Sequence, residues 1–208
     1  MKNGVQHKLE LAAARPQHRV VADRPPGESV HGLFLDRKHR HHQTARQRDR
    51  KDLQVFNDIS KAVTRYVHFT VFDNVDASVK NGVVTLTGQV TMPYKRDDIE
   101  KRVADVDGVK QVNSKITVLP VSQFDDQLRY RIARAIYSNS NFWNYAIGPN
   151  PPIHIVVDHS HVTLEGVVLN DADRIIAKTI ASNQFGVMSV KNNLKTDAEA
   201  KDALEKAF

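Results

Sequence analysis

Two short motifs recur in this chain at a single spacing, and that recurrence restricts the fold more than any other feature. Val84-Thr-Leu-Thr-Gly88 returns as Val162-Thr-Leu-Glu-Gly166, and Gly108-Val-Lys-Gln-Val112 returns as Gly186-Val-Met-Ser-Val190. Both pairs are offset by 78 residues, as are Ile116 and Leu194. Two motifs sharing one offset mark a duplicated supersecondary unit. Residues 53–119 and 122–195 are therefore expected to fold as two copies of one module, followed by a C-terminal tail over 196–208.

The element order can be read within each copy. Phe56, Ile59, Val63 and Tyr66 fall at helical spacing. Val75, Ala77 and Val79 alternate as on a half-buried strand. Asn81-Gly82 predicts a two-residue hairpin turn, because both positions tolerate positive φ. Val84, Leu86, Gly88 and Val90 continue on the returning strand. Thr91 is expected to cap a second helix, with Pro93 in its first turn, Ile99, Val103 and Val106 as its stripe, and Asp107-Gly108 at its end. Val112, Ile116 and Val118 belong to a third strand.

The second copy opens on Ser122-Gln-Phe-Asp125, which reads as a capping box. Leu128, Ile132, Ala135 and Ile136 form its first stripe; Ile153, Ile155 and Val157, then Val162, Leu164, Gly166 and Val168, form its hairpin. Ile176 and Ile180 suit the second helix, and Val187, Val190 and Leu194 the last strand. The turn Asp158-His159-Ser160 has no glycine. The first helices repeat at an offset of 73, so the stretch from Ser138 to Pro152 holds a five-residue insertion. The expected fold class is α+β: two tandem αββαβ modules, each a three-stranded mixed sheet with two helices on one face. Gly82, Gly88, Gly108, Gly166 and Gly186 all fall at strand or helix ends and read as structural.

Residues 1–50 differ in kind. Residues 1–52 hold 12 Lys+Arg against 6 Asp+Glu, which accounts for the whole formal charge of +6; residues 53–208 hold 18 of each. Six of the ten histidines are here, and the apolar residues have no sustained period. Such a segment cannot bury enough surface to offset its ordering entropy, so 1–50 is expected to be a disordered basic tail. Its composition also resembles translated non-coding GC-rich DNA, which makes a start further downstream a second expectation. No secretory signal and no run long enough to span a bilayer is visible in the sequence.

The search for chemistry gives little. With no cysteine, disulfides, thiolate metal sites and cysteine nucleophiles are excluded. No nucleophile elbow, phosphate loop or dinucleotide fingerprint occurs, so neither catalytic residues nor a cofactor are expected. His39, His41 and His42 lack a rigid element to fix ligand geometry, and no metal site is expected. The pairs Asp97-Asp98 and Asp125-Asp126 each read as first-turn carboxylates favoured by a helix dipole.

The run Asn81 to Val90, a helix, and then Gly108-Val-Lys-Gln-Val112 resembles the BON domain (bacterial OsmY and nodulation). The second copy is similar, ending Gly186-Val-Met-Ser-Val-Lys-Asn-Asn-Leu194, with Asn192 where the first copy has Ser114. The resemblance covers about 53–195. It implies a non-catalytic tandem protein of the periplasm or cell envelope, linked to osmotic stress, with an anionic phospholipid surface or an envelope protein as partner. Without a signal peptide the alternative location is the cytoplasm, where the basic tail would serve a protein- or nucleic-acid-interaction module. Nucleic acid is otherwise not expected.

The residues themselves offer a binding surface. The insertion carries Phe142, Trp143 and Tyr145 and follows a helix bearing Arg129, Arg131 and Arg134. Aromatic side chains suit the bilayer interface and arginines attract anionic headgroups. The competing expectation is that Phe142 and Trp143 fold back over the edge of a small core. Each module also presents an edge strand, which leaves self-association by strand pairing open.

Overall fold

The computed structural model describes residues 9–10, 51–148 and 150–207. Apart from Leu9–Glu10, the expected disordered tail and the histidines at 39, 41 and 42 lie outside the described residues. The order is β1 (Leu9–Glu10), α1 (described over 51–64), β2 (Asn74–Lys80), β3 (Val83–Val90), α2 (Pro93–Ala104) and β4 (Gln111–Val118). The second module follows as α3 (Gln123–Tyr137), a 3-10 turn (Trp143–Ala146), β5 (Ile153–Asp158), β6 (His161–Val168), α4 (Asp171–Ser182), β7 (Ser189–Asn192), β8 (Lys195–Thr196) and α5 (Asp197–Ala207). The αββαβ order thus occurs twice. The second sheet is three strands wide, with β8 continuing β7 along the same edge of β6 in the same register, and the first gains a short fourth strand where β1 pairs antiparallel with β2.

Each module pairs its hairpin antiparallel and then returns through a helix to a parallel strand, β3 with β4 and β6 with β7. The two hairpins keep the offset of 78: Val75 faces Gly88 and Ile153 faces Gly166. Both glycines have positive φ, and a Cβ there would run into the carbonyl of Asn74 or Pro152. A side chain is excluded by backbone, so these positions fix register rather than function. The other expected glycines also have positive φ.

The two cores match position for position. Ile59, Val63, Leu86, Ile99, Val103 and Ile116 in the first correspond to Ile132, Ile136, Leu164, Ala177, Ala181 and Leu194 in the second. One substitution of volume stands out. Ile99 and Val103 of α2 are replaced in α4 by Ala177 and Ala181, and the second core gains the fully buried Phe142. The expected α4 stripe of Ile176 and Ile180 is shifted by one residue: those two flank the core while the alanines face it.

Helix ends correct several expectations. Thr91 does not cap α2; the cap is Met92, without a side-chain bond, and Pro93 is the first helical residue. Thr91 instead donates through N and Oγ1 to Asp73 Oδ1, both at 2.8 Å. α2 closes at Asp105, so Gly108 serves the turn into β4, where a Cβ would meet Val55 at 2.7 Å. Asp97 and Asp98 fall beyond the first turn of α2; Asp98 accepts the Tyr66 hydroxyl at 2.5 Å. Within the expected tail over 196–208, Asp197–Ala207 form α5. Thr196 and Glu199 form a reciprocal capping box at its start. Those bonds, led by the Thr196 N–H and supported by Arg174, hold the Glu199 carboxyl below its ordinary range.

The modules are locked together. Ala203, Leu204 and Ala207 of α5, which follows the second module, pack against the first core. Phe72, between α1 and β2, packs against the second core and meets the Tyr130 ring edge-on at 4.9 Å. The Val71 carbonyl accepts Ile155 N at 2.6 Å, which covers part of the outer edge of β5.

Candidate functional site

The first helix of each module clamps its own hairpin turn. Asp52 accepts Asn81 N at 2.6 Å and Gly82 N at 3.0 Å. Asp125 accepts His159 N at 3.0 Å and Ser160 N at 2.9 Å. The helix offset of 73 and the turn offset of 78 are thus joined by the same pair of bonds. His159 and Ser160 both have positive φ, so the second turn has two residues, not three, and the geometry of the Asn-Gly turn without its glycine. The buried carboxylate holds it there. The capping box expected at Ser122 is therefore half formed: Ser122 Oγ accepts Asp125 N at 3.2 Å, while the Asp125 side chain reaches the hairpin.

This clamp brings three segments of the second module to one end: the start of α3, the β5–β6 turn and the α4–β7 loop. Met188 N donates to Ser160 O at 3.0 Å, and Arg131 Nη1 donates to Phe185 O at 2.6 Å. The Phe124 ring lies against Gly186, where a Cβ would sit 2.7 Å from Cζ. The loop is thereby fixed with Phe185 84%, Met188 74% and Phe124 48% exposed. Exposed single apolar residues are ordinary, but three large ones on a braced tip form a patch that calls for a function. In the first module the same tip is polar: Asp107 stands for Phe185 and Lys110 for Met188. There Lys110 N makes the equivalent bond to Gly82 O, and Lys110 Nζ donates to Asn81 O at 3.1 Å.

The six residues expected to form a docking surface separate. Arg129 is buried; it donates to Val157 O at 2.8 Å and pairs with Asp126, so it staples α3 to β5. Phe142 is core, filling volume left by the two alanines of α4. Tyr145 is half-buried: its hydroxyl donates to Asp173 Oδ2 at 2.5 Å and accepts Leu169 N at 2.8 Å. Burial, aided by that carboxylate, pushes its pKa up to about 12. Arg131, Arg134 and Trp143 are exposed. Trp143 lies beyond the C-terminal end of α3, whose 15 residues span about 22 Å, whereas the apolar tip is at the N-terminal end. Phe124, Phe185 and Met188 were not anticipated, although the replacement of Asp107 and Lys110 by Phe and Met across the repeat carries the signal.

A second polar cluster sits between the modules. Asp73 is fully buried and accepts five bonds: Thr91 N and Oγ1 on Oδ1, Thr70 N (2.9 Å), Thr70 Oγ1 (2.7 Å) and Lys95 Nζ (2.7 Å) on Oδ2. His154 is buried beside it, 5.4 Å from the Phe69 ring. A carboxylate saturated in this way has no lone pair to offer as a base, and the cluster orders the junction. Among the described residues no group of three His, Asp or Glu is placed to hold a metal, and no helix is long and apolar enough to cross a membrane.

Comparison with known proteins places the fold. Two solved structures of CdsD, a structural protein of the type III secretion system of Chlamydia trachomatis, are similar at low identity. Its C-terminal domain shares 14% identity over 59% of this chain and 56% of its own, with a TM-score of 0.26. The second shares 13% over 74% of this chain and 99% of its own, with a TM-score of 0.27. At these values the likeness carries no argument. No curated protein matches. The BON domain model matches residues 57–120 and 125–198. BON domains are a non-catalytic, binding-type family associated with envelope and osmotic-stress proteins and with phospholipid binding. With the matched segments spanning both αββαβ modules and most of its length, the chain belongs to the BON domain family as a tandem pair.

Proposed function

We propose that this protein is a non-catalytic, envelope-associated binding protein that recognises anionic phospholipid surfaces through the tip of its second module. The observation that carries the reading is the braced apolar tip of Phe124, Phe185 and Met188, set where the first module has Asp107 and Lys110. Arg131 holds the loop in place, and Arg134 lies one turn further along α3.

The magnitudes say which interaction leads. Burying a Phe or Met side chain contributes about 1.5–3 kcal/mol when complete. An arginine near an anionic leaflet contributes about 1 kcal/mol. Insertion of the tip therefore supplies most of the affinity, and the arginines supply the preference for anionic headgroups.

The test is liposome flotation of the full chain on anionic and zwitterionic vesicles, beside the variant Phe185→Asp/Met188→Lys. That variant gives the second module the tip chemistry of the first and leaves both cores untouched. Flotation is expected to fall by about tenfold or more, from the apolar burial removed. Trp143→Ala, at the far end of α3, is expected to change it little. Undiminished flotation of the double variant rules the tip out. Flotation that survives the variant but fades with salt transfers the binding to the basic segment 1–50.

A further inference from the structure

The outer strands of the two sheets begin alike and end differently. β4 runs unbroken from Gln111 to Val118 at the end of its sheet. Its counterpart starts at the matching residue, Ser189, but stops at Asn192 and resumes only as the two-residue β8. The interruption has a visible cause. Asn192 Oδ1 accepts Leu194 N at 3.3 Å while its Nδ2 donates to Arg174 O on α4 at 2.9 Å. Asn193 Nδ2 donates to Glu165 at 2.6 Å. Asn193 N still donates to Leu164 O at 2.8 Å, so the strand stays on β6, but Asn192 occupies Leu194 N and the regular strand lapses at 193–194. In the first module Ser114 replaces Asn192. Its Oγ accepts Ile116 N at a long 3.4 Å, and it is too short to span to the helix. The space between α2 and β4 forms a groove of about 750 Å³ lined by Arg96, Asp97, Glu100, Lys101, Val112 and Ser114 among others, and the matching space beside α4, lined by Arg174, Lys178 and Asn192 among others, is smaller at about 590 Å³.

An eight-residue edge with an open groove beside it is a template for strand addition. We propose that it pairs with the same strand of a second copy, antiparallel and centred on Ser114, to give a two-fold symmetric dimer with one sheet continuous across both chains. The strand is complementary to itself in that register. Ile116 of one copy faces Val112 of the other, Ser114 faces Ser114, and Lys115 faces Asn113, with like faces of the pleat aligned. Centring one residue further on would set Lys115 against Lys115, which like-charge repulsion disfavours. The groove-side charges of α2 are balanced, Arg96 and Lys101 against Asp97 and Glu100, so two copies of this helix can approach without net repulsion. Asn113 and Lys115 are both exposed, and changing them leaves the core intact.

The test is sedimentation velocity of the full chain in lipid-free buffer, up to about 200 µM. A concentration-dependent dimer is expected. Ser114→Pro, which blocks an edge without entering the core, is expected to weaken it about tenfold or more. Asn113→Lys sets lysine against Lys115 and is expected to weaken the dimer similarly. Adding Lys115→Glu to Asn113→Lys restores an opposite-charge pair and with it the dimer, a rescue that general loss of folding would not give. A chain that stays monomeric overturns the proposal and leaves the edge to an extended segment of another protein. A dimer indifferent to Ser114→Pro, or a double variant without recovery, overturns it equally.

Discussion

The two modules share a backbone plan and differ in what they show to solvent. At the hairpin end, the first module presents Asp107 and Lys110 and the second Phe185 and Met188, on loops held by the same bond to the turn. At the sheet edge the order is reversed: the first module leaves β4 open and the second breaks its strand at Asn192. A duplicated fold has thus kept the positions that fix the turn and register and diverged where side chains leave the core. The division of labour proposed above follows from this, with apolar docking on the second module and strand pairing on the first.

The comparison is tested hardest in the core. Phe142 replaces volume that Ile99 and Val103 supply in the first module, so Phe142→Ala should cost about 3–5 kcal/mol in chemical denaturation. Ala177→Ile in the Phe142→Ala background should recover part of it, because it returns the α2 arrangement to α4. If the loss is below about 1 kcal/mol, the insertion is not a core element.

The clamps come next. Asp125→Ala leaves two partly buried N–H groups without their acceptor in a turn that has no glycine, and should cost about 2–3 kcal/mol. Asp52→Ala should cost less, about 1 kcal/mol, because Asn81-Gly82 favours the turn unaided. Ser160→Gly should narrow the gap between them. Equal losses in thermal melts would show that the clamp, not the turn sequence, sets the hairpin in both modules.

Much of this was legible in the sequence, and the exceptions have one physical origin. The repeat offsets, the alternating strands and the Asn-Gly turn are local patterns, and local patterns gave the αββαβ order twice. What escaped depends on which side chain meets which across the fold. Asp125 looked like a dipole-favoured helix residue, yet its partners are 34 and 35 positions away at His159 and Ser160. Asp52 was left outside the first module although it holds that module's turn. Arg129 shares a helix with Arg131 and Arg134, but helical phase turns it inward to Val157 O. α5 was unreadable because its apolar face completes the other module's core, a contact no window of residues contains.

A gain of function would sharpen the contrast between the tips. Asp107→Phe/Lys110→Met gives the first module the apolar pair of the second. If an apolar tip suffices, the variant should float on vesicles several-fold better than the parent chain, in line with about 1–2 kcal/mol of added insertion. Unchanged flotation would mean that the second tip needs Phe124 or Arg131 as well.

The smallest effect concerns the junction. His154 is buried with its ring facing Phe69, the backbone of Thr70 and Asp73, and Glu165 across the β5–β6 pair. Desolvation holds its pKa below the ordinary 6.5, against the pull of Asp73 and Glu165, so the folded protein keeps it neutral where the unfolded chain would protonate it. The unfolded state then binds more protons, and stability must fall as pH drops below about 6.5 toward the folded-state pKa, with no contribution above that range. The melting temperature should therefore decline as pH falls below about 6.5, and His154→Leu, which cannot take up a proton, should flatten part of that decline. The first module has no histidine on its matching strand β2, so its tip and edge variants should leave the slope unchanged. A slope identical in parent and His154→Leu would place the acid sensitivity elsewhere and leave the junction as packing alone.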